Sequence, residues 1–323
     1  MTTKNKVLAG LMGLQAVLLI VVFWPASSGS GIEKMFPGLK EVDVIGVTIT
    51  DSEGRSIRLA RSTLGCVLPD ADDYPCLKDK FPDFLSLVVP ITTASLVAET
   101  KGSHSRLKVA DDDFERVIDV ETVGGNRYKL YLGTSPRGRS AHVRADGRDQ
   151  VYVAASLSAF DASAEAAAWV DPVYFSVPQD RVLAFTLENG SGGLRLEKEE
   201  SGDWTLVGDG IQGTLDQTKA QSLARRASSL RLLRPLGKEE LDSYGLKEPI
   251  AVLTISTKND DSGSGDFVLQ IGAEYDQEKG FVVKSSKSDY YVVMGESSVQ
   301  DFIDKGSDDL LESPSTAIPE STQ

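Results

Sequence analysis

The 323-residue chain has only two cysteines and two histidines, so metal and nucleophile chemistry is short of residues from the start. His104 and His142 stand at no ligand spacing of the His-x-His or His-Glu-x-x-His kind and read as surface or hairpin histidines. Cys66 and Cys76 do not form Cys-x-x-Cys, which argues against a redox or metal pair. A Gly-x-Ser-x-Gly elbow is missing, and with it the commonest hydrolase signal. Positive charge is scarce: 34 Lys and Arg stand against 48 Asp and Glu, a net charge of -14. That balance excludes a general nucleic-acid binder, which needs a concentrated cationic face. So many acids permit numerous carboxylate pairs, yet no pattern singles one out. The expectation is therefore a protein that is not an enzyme, with no catalytic residue, no cofactor and no metal site.

Long apolar runs are equally scarce, with one exception. Val7 to Trp24 is uncharged and mostly apolar, and as a helix it would extend roughly 27 Å, close to the hydrocarbon thickness of a bilayer. Lys4 and Lys6 precede it, which favours a cytoplasmic N-terminus and a bulk that is periplasmic or extracellular, at a bacterial cytoplasmic membrane. A cleaved signal peptide would read similarly, although eighteen apolar residues exceed the usual signal core. In such a compartment a Cys66–Cys76 disulfide can persist, and closing its short loop is worth about 2–3 kcal/mol.

Behind that run the chain spells one pattern twice. Val44-Ile45-Gly46-Val47-Thr48-Ile49 recurs as Val182-Leu183-Ala184-Phe185-Thr186-Leu187, Ile57-Arg58-Leu59 as Leu194-Arg195-Leu196, and Leu132-Gly133 as Ile271-Gly272, at offsets of 138, 137 and 139. A nearly constant offset marks an internal repeat. The boundaries that follow are an anchor at 1–26, a flexible linker at 27–39, repeat domains at 40–175 and 176–311, and a disordered tail at 312–323. Short strands broken by Asp51-Ser52-Glu53-Gly54, Gly124-Gly125 or Asn189-Gly190-Ser191-Gly192 imply mainly antiparallel sheet. Thr214 with Gln217 suggests a capping box opening a helix whose stripe is Ala220, Leu223, Ala224, Ala227 and Leu230. Its first-repeat counterpart is Phe81, Phe84, Leu85 and Val88. Closing helices are expected around Leu157 and Phe160 and around Val299 and Phe302, with Pro172 to Pro178 as a link. The fold class expected is α+β: two tandem repeats of mainly antiparallel sheet, each covered by an amphipathic helix and preceded by one transmembrane helix.

Tyr244-Gly245-Leu246-Lys247-Glu248-Pro249, the strand Ala251 to Ile255, Leu269-Gln270-Ile271-Gly272 and Tyr290-Tyr291-Val292-Val293 together resemble the family of domain of unknown function 4340. The resemblance covers nearly all of Lys40 to Leu311 as two tandem units. The first departs from it, with Cys66 for the strand Trp204 and Lys101-Gly102-Ser103-His104 at the signature turn. The resemblance implies a membrane-anchored extracytoplasmic protein associated with ABC-type transport components like the gliding-motility auxiliary proteins, and it brings no established catalytic residues. The turn itself reads as structural, Gly245 taking a positive φ and Pro249 starting a strand edge.

Three other patterns bear on binding. Gly208-Asp209-Gly210-Ile211-Gln212-Gly213 matches a dinucleotide fingerprint, but the neighbouring strands look antiparallel, and a glycine-rich loop entering a helix accounts for it. Asp70, Asp72, Asp73 and Asp111-Asp112-Asp113 lack the order of a calcium loop. Arg137, Arg139, Arg144 and Arg148, with His142, form the one basic concentration, either a contact patch for an acidic surface or solvated hairpin charge. The preferred expectation is a membrane-anchored, non-catalytic scaffold or accessory subunit with a membrane-protein partner of transporter type. The alternative is an envelope ligand-binding module that holds a glycan or lipid in the cleft between the repeats.

Overall fold

Hairpins build almost everything in the computed structural model, which describes residues 32–63, 65–208, 211–258 and 265–312 together with Gln15. The strands are β1 (Val44–Asp51), β2 (Ser56–Ser62), β3 (Gly65–Leu68), β4 (Tyr74–Pro75), β5 (Leu96–Ala98), β6 (Arg116–Thr122), β7 (Arg127–Leu132), β8 (Ala141–Ala145) and β9 (Val151–Ala154). There follow β10 (Val173–Ser176), β11 (Val182–Asn189), β12 (Gly192–Lys198), β13 (Trp204–Val207), β14 (Ser229–Arg231) and β15 (Arg234–Gly237). The last are β16 (Ala251–Thr257), β17 (Asp266–Tyr275), β18 (Gly280–Ser285) and β19 (Tyr291–Gly295).

They form a nine-stranded sheet in the order β4-β3-β2-β1-β6-β7-β8-β9-β5, an eight-stranded sheet in the order β13-β12-β11-β16-β17-β18-β19-β15, and a β10-β14 pair. Apart from β4, the first order becomes the second when every label is raised by ten. Register agrees as well: Ile49 faces Ile57 as Leu187 faces Leu194, and both leading strands carry a bulge, at Val44/Gly46 and at Val182/Ala184. The period-2 pattern of the sequence explains the inward faces. Val47, Ile49, Leu59, Ile118 and Leu130 are buried in the first sheet, and Phe185, Leu187, Leu196, Leu253 and Ile255 in the second. One buried apolar cluster runs through residues of both sheets.

The expected α+β class is corrected by this architecture. Sheet dominates, and among the described residues there are three α-helices, Lys80–Val88, Gln217–Ala227 and Glu296–Asp304. None of the described helices is long and apolar enough to cross a membrane. Apart from Gln15, the expected membrane run Val7 to Trp24 lies outside the described residues, as do residues 27–31 of the linker and all but the first residue of the tail. The physical reason for the sheet is local: turn residues recur so closely that few uninterrupted stretches are long enough for a stable helix, and consecutive segments pair as antiparallel neighbours.

Other local expectations are corrected too. Helix Gln217–Ala227 is capped by Asp216, whose side chain accepts from the Thr218 and Lys219 amides, and not by Thr214. Gln217 instead turns to the outer edge of β13, accepting from the Trp204 amide at 2.8 Å and donating to its carbonyl at 2.7 Å. An edge strand is thereby closed by one side chain that mimics a neighbouring strand. The link Pro172 to Pro178 contains β10, which pairs with β14. No helix forms around Leu157 and Phe160: Leu157 is buried in a loop while Phe160 is 87% exposed. Helix Glu296–Asp304 buries Val299 and Phe302 and lays Phe302 against Phe185 of β11.

Candidate functional site

The Tyr-Gly-Leu turn is a packing device. Gly245 takes φ 66°, Tyr244 and Leu246 are buried, and Pro249 is half-buried ahead of β16. The turn presses its backbone onto the strand glycine: a Cβ on Gly272 would lie 2.1 Å from the Tyr244 carbonyl oxygen. In the first sheet a Cβ on Gly133 would lie 2.0 Å from the Leu107 carbonyl oxygen. Leu107-Lys108-Val109 thus fills the corresponding place, with Lys108 at φ 57°, and Lys101-Gly102-Ser103-His104 only leads into it. Glycine at 133 and 272 is dictated by this close approach.

The cysteines are joined, with Cα atoms 5.3 Å apart. Both histidines are buried, not surface groups. His104 Nε2 lies 2.8 Å from the Asp149 carbonyl oxygen, and His142 Nδ1 lies 3.0 Å from the Thr134 hydroxyl. Burial holds His142 below its ordinary pKa, against an upward pull from the Thr134 backbone. The basic patch divides. Arg137, Arg139 and Arg148 are exposed, whereas Arg144 is 3% exposed. Its guanidinium stacks 4.1 Å from the Tyr131 ring, donates to the Val109 and Arg148 carbonyls and pairs with Asp111. The Arg144 hydrogen bond outweighs desolvation and keeps Asp111 below its ordinary pKa. Arg139 pairs with Asp161 at 2.6 Å.

The glycine-rich loop sits at the edge of the second sheet. It follows β13, an edge strand in an antiparallel sheet, and the Leu311 side chain would meet a Cβ on Gly213 at 3.0 Å; Asp209 and Gly210 lie outside the described residues. Among the described residues no group of three His, Cys, Asp or Glu could hold a metal ion.

A concavity of about 680 Å³ lies between the two sheets. One wall is the β1-β2 hairpin turn with Glu165. The other is the Leu233–Arg234 segment with the β17-β18 turn, Gln277 to Lys279. The first wall is stiffened by Asp51, which is buried and accepts from the Glu53 amide, the Arg55 amide and Arg55 Nε at 3.0, 2.9 and 2.7 Å. Burial alone would raise the Asp51 pKa, but these donors hold it below its ordinary value. Arg55 also stands 3.6 Å from Glu165, and on the facing wall Arg234 stands 3.3 Å from Glu278 Oε1. Glu278 Oε2 is enclosed and has no hydrogen-bond partner. Desolvation raises the Glu278 pKa, aided by the Glu165 charge and opposed by Arg234 and Arg55.

The sequence pattern did not identify this set, because its members come from separate turns, a loop and strand β15 and carry no shared motif. Chemically the walls offer alternating guanidinium and carboxylate groups, which suit a polar ligand or a polar protein surface better than an apolar one.

An antiparallel, sheet-dominated architecture with a glycine-pinned Tyr-Gly-Leu turn defines the class. Within that class the chain belongs to the family described as domain of unknown function (DUF4340), whose model matches residues 67–249. The match runs from β3 of the first sheet to the signature turn ahead of β16, so it straddles both sheets. No curated protein and no solved structure matches the chain.

Proposed function

We propose that this protein works by binding and not by bond chemistry, as an extracytoplasmic accessory subunit or scaffold of a membrane transport assembly of the ABC type, and that it carries one sheet unit twice. The observation behind the non-catalytic reading is the use made of its chemically able side chains. His104, His142 and Arg144 are tied to backbone or neighbouring side chains, and the cysteines to each other. Repetition is supported by the shared strand order and the shared bulge positions. The disulfide favours an oxidising compartment, and the apolar run at 7–24 supplies the sequence argument for a membrane location. Crosslinking in native membranes tests the role: recovery of a transport component in the adduct supports it, and the intact protein recovered alone counts against it.

A second reading has its own observation. Glu278 Oε2, enclosed and unpartnered at the cleft between the sheets, is an acceptor without a donor, and an envelope glycan or lipid headgroup bearing hydroxyl or ammonium donors would suit it. Thermal unfolding with oligosaccharides and with headgroup analogues tests this reading. A stabilisation that grows with ligand concentration supports it, and no shift with either class sinks it.

A further inference from the structure

The loop that the disulfide closes ends at the second sheet. Between Cys66 and Cys76 the chain runs through β3, a short turn at Pro69–Ala71, and then Asp72 and Asp73, both left-handed at φ 52° and 60°. The Cys76 amide donates to the Cys66 carbonyl at 3.0 Å, so the base of the loop is fixed twice. At its tip, Asp72 Oδ2 accepts from the Lys238 amide at 2.6 Å. Gly237 at φ 107° lets the two segments meet, since a Cβ there would lie 2.6 Å from the same oxygen. Tyr290 donates to the Asp72 and Asp73 carbonyls at 3.3 Å, and its ring packs edge-on against Tyr74 at 4.7 Å.

These contacts fall on a vulnerable place. β15 is the last strand of the second sheet, paired with β19 on one side only. Just past its end, at Lys238, the Asp72 carboxylate supplies the acceptor that a further strand would have supplied. β15 also carries Arg234, which lines the cleft and pairs with Glu278. The disulfide loop and the cleft wall are therefore coupled through one four-residue strand.

We propose that the Cys66–Cys76 disulfide is the clamp of the junction between the two sheets: it holds Asp72 on the edge of the second sheet and thereby sets the cleft wall that bears Arg234. The claim concerns position and holds whatever the cleft binds. With ten residues of separation the loop lies at the short end of the range, where chain-entropy stabilisation is about 2–3 kcal/mol. Its contacts with Lys238 and Tyr290 give it a reason to be rigid.

Hydrogen exchange on the full chain, resolved by mass spectrometry, tests this with three samples: the oxidised protein, the same protein in dithiothreitol, and Asp72→Ala with the disulfide intact. Exchange at the Lys238 amide is expected to rise about tenfold or more in the second and third samples, the effect of losing one hydrogen bond to a charged group. Amides of β1 and β16 keep their protection. A Lys238 amide that stays protected on reduction overturns the proposal. Should reduction unfold the whole chain, Asp72→Ala decides alone: faster exchange at Lys238 with both sheets protected sustains the clamp, and unchanged exchange overturns it.

Discussion

Alanine at Gly133, just past β7, and at Gly272 of β17 is the sharpest perturbation of this fold. A Cβ on Gly133 would sit 2.0 Å from the Leu107 carbonyl oxygen, and one on Gly272 would sit 2.1 Å from that of Tyr244. Neither carbonyl can retreat freely. Leu107 is buried with Val109 and Tyr131, and its carbonyl accepts the Thr134 amide at 3.0 Å. Tyr244 is buried with Leu246, Val282 and Tyr291. Forcing a methyl into such a contact costs about 2 kcal/mol, and in Gly133→Ala the Thr134 hydrogen bond adds about 1 kcal/mol. The expected loss is therefore about 3 kcal/mol for Gly133→Ala and about 2 kcal/mol for Gly272→Ala. Urea unfolding, followed by the fluorescence of the buried Trp169 and Trp204, should show midpoints lowered by about 1 M. Variants within about 0.5 kcal/mol of the parent, the range of an ordinary surface substitution, would refute the reasoning.

Arg144→Lys should cost about 2–3 kcal/mol in urea unfolding, since a lysine cannot serve the Val109 carbonyl, Asp111 and the Tyr131 face together; a neutral result would mean those contacts are not formed. Glu278→Gln should stabilise the protein near neutral pH, with a gain that shrinks as pH falls. The sign follows from linkage: the folded pKa of Glu278 lies above its unfolded value, so the folded state holds the proton more tightly and stability falls as pH rises through that window. Thermal melts of parent and variant across the acidic range check this, and a gain that grows on acidification contradicts it. Lys108→Gly should raise the thermal midpoint, because Lys108 occupies the left-handed conformation that Gly245 adopts at the corresponding turn. A lowered midpoint would show that the Lys108–Asp113 pair outweighs the backbone strain.

Much of the hairpin scheme was legible because it rests on periodicity and turn residues, which act locally. The offset between Val44-Ile45-Gly46 and Val182-Leu183-Ala184 reflects positions with equal burial needs, and the bulges fall at the same places in the two leading strands. What was not legible depends on contacts between distant segments. Asp216 wins the helix cap from Thr214 while Gln217 serves the exposed edge of β13. Arg144 is buried because backbone carbonyls and an aromatic face receive its guanidinium, none of which charge counting reveals. Lys108 hides the first turn by doing a glycine's work at a non-glycine position. The overestimate of helix has the same origin: the stripe of Ala220, Leu223, Ala224 and Ala227 is real, but helices of nine to eleven residues are minor parts of two sheets. Arg55, Glu165, Arg234 and Glu278 come together only through the fold.

Site-specific photocrosslinking in native membranes tests the binding account most directly, with the probe at Gln277 on the cleft rim and a control probe at Thr205 of β13. The account predicts an adduct from Gln277 containing a transport component, and none from Thr205. Adducts from Thr205 alone, or none from either position in membranes where the transporter is present, would contradict it.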